Sequence, residues 1–322
     1  MILSLRQIRR RIRSVGNTKK ITHAMEMVAA AKLKRLQELL GHSEHYVSEL
    51  GRILTALVQN EAALSHPMLE RREETKSILV FLVTSDTGLC GSYNANIIAQ
   101  TQQFLADQPR EQSIQFVAIG RNGVAYLKRF RKNILKELSV PKPQQIEETI
   151  SEIAKLVENQ FSSRKTDKVV FIYTKAESLG TLRPTATNLL PIVPITFSPL
   201  TGENRSGGES FKAPPHPNLP PPTARLAKGG PQGGKEIEYL LEPSPDSILE
   251  TLLPEFIEAK IGQMVKHALV SEQASRMLAM RQATDNAEEM IDSLTLMRNK
   301  ARQASITKEL IEVISGSRAL QK

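Results

Sequence analysis

Both ends of the chain repeat apolar or small residues at alternating spacings of four and three. In the first of these stretches the repeat comprises Ile8, Ile12, Val15, Lys19, Thr22, Glu26, Ala29, Leu33, Leu36, Leu40, Ser43, Val47, Leu50, Leu54 and Leu57. A heptad pattern sustained over so many turns predicts one long helix with a coiled-coil seam. Ser4 and Gln7 form a capping-box signature at its start, and His66-Pro67 is expected to end it.

The second stretch begins near Pro245 and runs to Gly316. Its predicted seam comprises Ile257, Ile261, Met264, Ala268, Ser271, Ser275, Leu278 and Gln282, and after a stutter Ile291, Leu294, Met297, Ala301, Ala304 and Ile311. Pro254 marks either a kink or the true start of this helix. About 60 helical residues make a rod of roughly 90 Å, which a domain of this size cannot bury, so the rod must pair with another helix.

The two rods are predicted to pair with each other in antiparallel orientation. Small seam residues let two helices approach closely, and here they are Thr22, Ala29, Ala268, Ser271 and Ser275. Three polar seam residues either fix the register of the pair or face an outside partner: Lys19, Glu26 and Gln282.

Between the rods, strand-like and helix-like segments alternate. Apolar runs at 77–85, 114–119 and 168–174 predict buried strands, and the segments 94–106, 122–130 and 145–161 predict helices. Such alternation is typical of a parallel α/β sheet. The predicted fold is therefore α/β plus a long antiparallel coiled coil, with the N- and C-terminal helices paired and a small Rossmann-like α/β domain between them.

The predicted division has four segments. Residues 1–66 form the N-terminal coiled-coil helix, 75–197 the α/β domain, 198–236 a flexible insertion, and 245–322 the C-terminal coiled-coil helix. The insertion is inferred from its Pro, Gly and Ser content, which cannot build a packed core.

Composition and charge narrow the class of protein. Aromatic residues make up 4% of the chain and tryptophan is absent, which suits helix–helix packing better than a deep ligand pocket. A net charge of +9 points to acidic partners: nucleic acid, an anionic membrane or acidic protein surfaces. Cys90 is the single cysteine, so an internal disulfide and a cysteine-based zinc site are excluded. No apolar run has the length of a membrane span.

The first 20 residues are basic and have no acidic residue. This pattern resembles an organelle transit peptide, but the helical repeat continues through it unbroken, which favours a basic amphipathic helix of the mature protein. Nucleic-acid binding by this segment has charge in its favour, yet the segment lacks interleaved aromatic residues and a recognised DNA-binding motif.

Several residues are candidate chemical groups. The Gly-rich loop 84–94 could cradle a phosphate on backbone N–H groups, but it matches no nucleotide-binding fingerprint, and a tight strand-to-helix turn is favoured. Asp86 as a general base and Cys90 as a nucleophile both lack an obvious partner, since all six histidines lie outside the α/β segment, and Cys90 is expected to be a structural thiol. His42 and His45 could hold a metal weakly, although a solvated helix face is favoured. No catalytic site, cofactor or metal is expected.

Specific motifs then suggest a family. Residues 8–12 and 15–29 closely resemble the N-terminal helix of the γ subunits of F-type ATP synthases, and residues 271–287 and 299–310 match the C-terminal signature of that family. Residues 85–91, with Asn94 and Asn96, resemble the turn in its α/β domain. The resemblance covers both ends and the middle of the chain, and leaves out 198–236.

This resemblance implies a central-stalk rotor that sits inside a ring of three α and three β subunits. Its α/β domain would lie at the foot, against the ε subunit and the membrane ring of c subunits. Ion flow would turn the foot, and the shaft would drive the β sites one after another through ATP synthesis or hydrolysis. The rotor would also regulate ATPase activity and proton flow. The nucleotide sites would belong to β and α, and the chain would be peripheral on the cytoplasmic face of the bacterial inner membrane.

The matching motif positions predict contacts with the surrounding ring at Met25, Arg276, Arg302, Gln303, Thr307 and Glu309. Packing within the shaft is the alternative role, above all for Met25. The insertion at 198–236 contains no cysteine, so the thiol switch of plant chloroplast γ subunits is not expected here. Its role stays open between a brake on rotation, a partner site and a tolerated surface segment.

Overall fold

The structure, a computed structural model, describes residues 4–58, 68, 69, 72, 75–109, 111–178, 180–192 and 245–320. The predicted insertion at 198–236 and the predicted helix end at His66-Pro67 lie outside these residues. The described helices are α1 (Leu5–Val58), α2 (Tyr93–Ala106), α3 (Arg121–Arg129), α4 (Ile146–Ser162) and α5 (Pro245–Leu320). The described strands are β1 (Ser77–Val83), β2 (Ser113–Ile119), β3 (Ile134–Leu138), β4 (Lys168–Ala176) and β5 (Leu182–Leu190).

The N-terminal helix α1 confirms the heptad interpretation of the first stretch. Its capping box is formed, because the Ser4 N–H donates to Gln7 Oε1 at 3.0 Å and the Gln7 N–H donates to Ser4 Oγ at 3.3 Å. Every predicted seam position from Ile8 to Leu57 is buried or half-buried. The helix therefore presents one continuous stripe to a partner.

That partner is α5, and the two helices are antiparallel as predicted. Thr284 Oγ1 donates to Thr22 Oγ1 at 2.8 Å, the Lys19 ammonium pairs with Glu288 at 2.8 Å, and His267 Nε2 lies 3.2 Å from Glu44. Residue numbers thus rise along one helix as they fall along the other. Of the three polar seam residues, Lys19 bridges the two helices, whereas Glu26 bonds His23 and Gln282 bonds Asn286 within their own helices.

The predicted seam of α5 is wrong in part. Leu278, Gln282, Met297, Ala304 and Ile311 are exposed, and the buried positions in this part of the helix are Met280, Thr284, Ala287 and Leu294. The cause is a change of surroundings along the helix. From Gly262 to Ala274, α5 is covered by both α1 and the sheet domain, so nearly every position is buried and the heptad is hidden. Pro254 lies inside the helix and is not its start.

The sheet has five strands in the order β3-β2-β1-β4-β5. The first four are parallel, as predicted, but β5 is antiparallel to β4. The sequence patterns missed both edge strands. β3 is only five residues long, contains the adjacent charged residues Lys136 and Glu137, and has no fully buried residue. β5 contains Pro184 among polar residues, a composition that is tolerated at a sheet edge.

Two apolar layers sandwich this sheet. One joins Ile78, Val80 and Leu82 of β1 to α2 and α3. The other joins Leu79, Phe81 and Val83 to α4, α5 and α1. In that layer the rings of Phe81 and Phe171 stack at 4.4 Å. The sheet domain is thus a three-layer α/β unit whose third layer includes the paired helices.

The direction of α5 across the domain shows at which end of the sheet the long helix leaves it. Lys266 pairs with Glu147 in the first turn of α4 at 3.1 Å, and Gly262 lies against Ile150, one turn further along α4. Because α4 runs back from the carboxyl ends of the strands, α5 climbs from their amino ends to their carboxyl ends and then leaves the domain. No described helix has the length and apolar character of a membrane span.

Gly120 should be indispensable to this fold. Its φ is +98°, and a Cβ there would stand 2.3 Å from the carbonyl oxygen of Thr84. We expect Gly120→Ala to lower the free energy of unfolding by at least about 2 kcal/mol, through strain and a backbone clash. Urea unfolding of the purified chain measures the change.

Gly16→Ala is the matched control for this substitution. Gly16 lies within α1 with no atom within 4 Å of the added Cβ, so the change should stabilise by about 0.5–1 kcal/mol through helix propensity. Equal stability of the two variants would contradict the predicted clash.

Candidate functional site: the seat of the long helix on the sheet domain

The loop between β1 and α2, residues 84–92, is held at Ser85 by polar side chains of α2 and α3. The Ser85 N–H donates to Asn94 Oδ1 at 3.1 Å, Asn94 Nδ2 donates to Ser85 Oγ at 2.7 Å, and Asn122 Nδ2 donates to the Ser85 carbonyl at 2.7 Å. Gly91 takes a left-handed φ of +58°. The segment is a tight strand-to-helix turn, as the sequence predicted.

Asp86 and Cys90 both have structural surroundings in this turn. The Asp86 carboxylate accepts from the Arg121 N–H at 2.9 Å and from the Val140 N–H at 3.2 Å, so it links the turn to the start of α3 and the end of β3. Cys90 is buried, and its Sγ accepts from Asn94 Nδ2 at 3.3 Å. Both residues thus have structural contacts that hold the turn in place.

His42 and His45 are exposed on α1. Among the residues that the structure describes, no three His, Cys, Asp or Glu side chains are grouped so that they could hold a metal ion. The solvated helix face that the sequence favoured agrees with these positions.

The same turn is where α5 is fastened to the sheet domain. We call the contacts of residues 268–276 of α5 with the turn, Tyr93 and Thr174 the seat. Ser275 Oγ donates to the Cys90 carbonyl at 2.6 Å, Ser271 Oγ donates to the Thr174 carbonyl at 2.9 Å, and the Tyr93 hydroxyl donates to the Ala268 carbonyl at 3.2 Å. A Cβ on Gly91 would lie 3.5 Å from Ser275 Oγ. A Cβ would therefore fit beside Ser275 in ordinary contact, and it is the left-handed φ of Gly91 that favours glycine there.

This seat corrects one sequence interpretation. Ser271 and Ser275 were expected to let α5 approach α1, whereas their hydroxyl groups bond the sheet domain. Small side chains permit close packing on any side of a helix, and the heptad pattern alone does not say which neighbour uses them.

Arg276 closes the seat with a nearly buried ion pair. Its Nη1 lies 2.8 Å from Glu272, with side chains only 15% and 7% exposed, and its Nη2 donates to Thr87 Oγ1 at 3.0 Å. Burial raises the pKa of Glu272, and the negative charge of Asp86 adds to this, while the Arg276 guanidinium opposes both. Arg276 therefore joins the turn to α5 and favours the charged form of the Glu272 carboxylate, against the effect of burial.

The other predicted contact residues lie along the shaft formed by α1 and α5. Met25 is 40% exposed on α1. Arg302, Gln303, Thr307 and Glu309 are exposed on α5. Because Thr22 faces Thr284 and Lys19 faces Glu288, the first residue of α1 lies opposite the region near residue 301, and α5 continues beyond it as a single helix.

This single-helix tip carries an apolar set that the sequence patterns did not single out. Exposure runs from 50% at Ile306 to 70% at Val313, and the set comprises Ile306, Leu310, Ile311, Val313 and Ile314. Ile311 was expected in the seam. The register of the pair shows instead that these side chains extend past the first residue of α1. The sequence could have predicted their exposure from the greater length of the C-terminal helix.

Comparison with known proteins gives this architecture a family. A family model described as ATP synthase matches residues 4–320. The ATP synthase gamma chain of Dehalococcoides mccartyi is 36% identical over 321 residues, with 98% of this chain and 99% of the relative covered. The chain belongs to the ATP synthase gamma chain family. The gamma chain of Symbiobacterium thermophilum is also 36% identical, with 98% of this chain and 97% of the relative covered.

Solved structures support the fold of this gamma-family chain. A chain of the Euglena gracilis mitochondrial ATP synthase matches with a TM-score of 0.60 at 16% identity, over 98% of this chain and 94% of that one. A chain from the central stalk and c-ring of the Tetrahymena thermophila mitochondrial ATP synthase matches with a TM-score of 0.56 at 20% identity, over 82% and 99% respectively. The long paired helices around a small α/β domain are thus shared with these assemblies.

The Arg276–Glu272 pair should dominate the stability of the seat. Replacing Arg276 by Met leaves a buried carboxylate without its cation, and we expect a loss of about 3–5 kcal/mol near neutral pH. Removing the arginine also raises the pKa of Glu272 further, because the guanidinium was lowering it. A raised pKa in the folded state favours the protonated form, so the penalty should shrink as pH falls through that pKa.

Unfolding free energies of the wild type, Arg276→Met and the double variant Glu272→Gln/Arg276→Met, at about pH 5 and about pH 8, test this expectation. The neutral amide should recover most of the loss and remove its pH dependence. A penalty that is the same at both pH values, or a double variant as unstable as the single one, would show that the pair does not act in this way.

Proposed function

We propose that this chain is the central-stalk rotor subunit of an F-type ATP synthase. It would couple ion flow through a membrane c-ring to ATP synthesis and hydrolysis at the β subunits, regulate both, and have no catalytic site of its own. The observation that carries the proposal is the antiparallel shaft of α1 and α5, fastened to an α/β domain at one end and extended by a single helix at the other, in a chain of the gamma family.

The physical properties of the shaft suit torque transmission. Two helices share a seam along the whole described length of α1, which stiffens both. The shaft joins the sheet domain through buried hydroxyl bonds and the Arg276–Glu272 pair, so the domain and the helices would turn together. Exposed apolar residues of the shaft are mostly aliphatic or methionine side chains, and the aromatic anchors that make tight static interfaces are scarce.

The partners follow from the two ends of the shaft. The tip and the middle would lie inside a ring of α and β subunits, with Met25, Arg302, Gln303, Thr307 and Glu309 as contacts. Arg276 is a proposed ring contact as well, through the part of its side chain that the turn leaves exposed. The sheet domain would face the ε subunit and the c-ring, and the chain would be peripheral on the cytoplasmic face of a bacterial inner membrane.

The proposed division keeps four segments: 1–66 and 245–322 as the shaft, 75–197 as the domain at the foot, and 198–236 as an insertion. The described residues that support it are the paired helices and the sheet.

Assembly with cognate subunits tests the rotor directly. Mixing the chain with its own α and β subunits should give a stable complex whose ATPase rate greatly exceeds that of α and β alone, because an asymmetric shaft drives the sites in sequence. A complex without any stimulation would count against the rotor, and turnover by the purified chain alone would contradict the absence of a catalytic site.

A cross-link within the shaft distinguishes a rotor that turns as one body from a pair of sliding helices. The hydroxyl groups of Thr22 and Thr284 are 2.8 Å apart, within reach of a disulfide after Thr22→Cys/Thr284→Cys. Oxidation should leave the ATPase rate and the rotation of a bead fixed to the sheet domain unchanged within about twofold. The single variant Thr284→Cys is the control, and turnover that stops on oxidation and returns on reduction would refute rotation as one body.

A further inference from the structure

The turn at residues 128–132, where α3 ends and the chain enters β3, reads Lys-Arg-Phe-Arg-Lys. The Phe130 ring is 52% exposed and touches the Tyr126 ring at 4.9 Å. Lys128 pairs with Glu137 at 2.8 Å, whereas the side chains of Arg129, Arg131 and Lys132 are exposed. An exposed aromatic ring thus stands among exposed cations, a combination that the basic N-terminus lacks.

The backbone of this turn does not require an arginine at position 131. Arg131 has a left-handed φ of +50°, and its N–H donates to the Lys128 carbonyl at 3.1 Å. Glycine is the usual residue at such a helix end, and a side chain there costs conformational energy. The helix dipole favours a cation at this end, but it explains neither the exposed phenylalanine nor an arginine in the left-handed position.

More cations share this end of the sheet. Strands β1, β2 and β4 begin level with one another, with Lys168 of β4 beside Ile78 of β1, whereas β3 begins three residues further up, with Ile134 beside Phe116 of β2. Lys165 and Lys168 flank Asp167 at the start of β4. Asp167 is engaged by Arg72 at 2.6 Å. We call the turn at residues 128–132 the basic foot.

The basic foot lies at the pole of the molecule that is remote from the shaft tip. α5 climbs from the amino ends of the strands, passes Thr174 and Cys90 near their carboxyl ends, and leaves the domain after Arg276. The foot is at the amino ends. If the chain turns as a rotor with its tip in a ring of partner subunits, the foot points the opposite way.

We propose that the basic foot touches an anionic lipid bilayer beside the c-ring that the rest of the sheet domain would face, with the Phe130 ring at the boundary of headgroups and acyl chains and with Arg129, Arg131 and Lys132 on lipid phosphates. Aromatic side chains flanked by cations favour that boundary. A fluid lipid surface also imposes no fixed register, so the contact would survive rotation. The orientation towards the membrane rests on the proposed function, whereas the affinity for anionic lipid rests on the foot alone.

The absence of tryptophan from the chain makes Phe130→Trp a single fluorescent probe. With the purified full-length variant, phosphatidylglycerol vesicles should shift the emission to the blue, and acyl-brominated phosphatidylglycerol should quench it. Phosphatidylcholine vesicles should do neither. Leu296→Trp, at a shaft position that is 71% exposed, should respond to neither lipid.

Charge removal then separates the foot from the overall charge of the chain. Arg129→Gln/Arg131→Gly/Lys132→Gln should lower the vesicle partition coefficient about a hundredfold, since each cation near an anionic surface contributes about fivefold. The glycine suits the left-handed position, so the variant should fold. The matched control Arg9→Gln/Arg10→Gln/Arg13→Gln removes the same charge from exposed positions of α1 and should lower the coefficient by less than about tenfold.

The proposal is overturned if the α1 control loses as much binding as the foot variant, or if the emission of the Phe130→Trp variant ignores phosphatidylglycerol. A response of that variant to soluble polyglutamate without one to vesicles would overturn it too, because the foot would then fit an acidic polypeptide. The foot variant should still stimulate soluble α and β subunits, so a failed lipid contact and a failed rotor give different results.

Discussion

The antiparallel register of α1 and α5 is the constraint on which the rest of the structure depends. It is fixed by three links along the pair: Lys19 with Glu288, Thr22 with Thr284, and Glu44 with His267. Burial together with the nearby charges of Lys175 and Lys260 lowers the pKa of His267 to about 4, so at neutral pH the last link adds no buried cation. With this register, α1 of 54 residues cannot cover α5 of 76 residues, and a single-helix tip follows necessarily.

The second constraint is that α5 has two neighbours over part of its length. Between Gly262 and Ala274 it is the third layer of the sheet domain and the partner of α1 at once. Ser271 and Ser275 use their hydroxyl groups on the sheet side, which leaves the opposite face to apolar packing against α1. The sheet domain, which the chain inserts between α1 and α5, is thus held to the shaft mainly through α5. A force on the domain reaches the shaft through the segment from Gly262 to Ser275.

How much the sequence could predict depended on how many neighbours each element has. The seam from Ile8 to Leu57 was predicted correctly because α1 buries one stripe. Beyond Ser275 the predicted seam of α5 was wrong at Leu278, Gln282, Met297, Ala304 and Ile311 and right at Leu294, because two neighbours give way to one there and the phase of the repeat shifts. The edge strands β3 and β5 were missed because half of their surface faces water. The role of Arg276 in the seat needed a contact across almost 190 positions, which no local pattern encodes.

The surface chemistry divides along the same axis as the architecture. Within the body, the contacts are directional: buried hydroxyl bonds, and an Arg–Glu pair that a small displacement would break. The shaft surface also offers contacts of another kind, because Met25, Ile306, Leu310 and Val313 expose apolar area whose stabilisation depends little on orientation. In a rotor, such apolar area can pass from one neighbour to the next, whereas the polar contacts proposed at the tip would have to break and form again at each step.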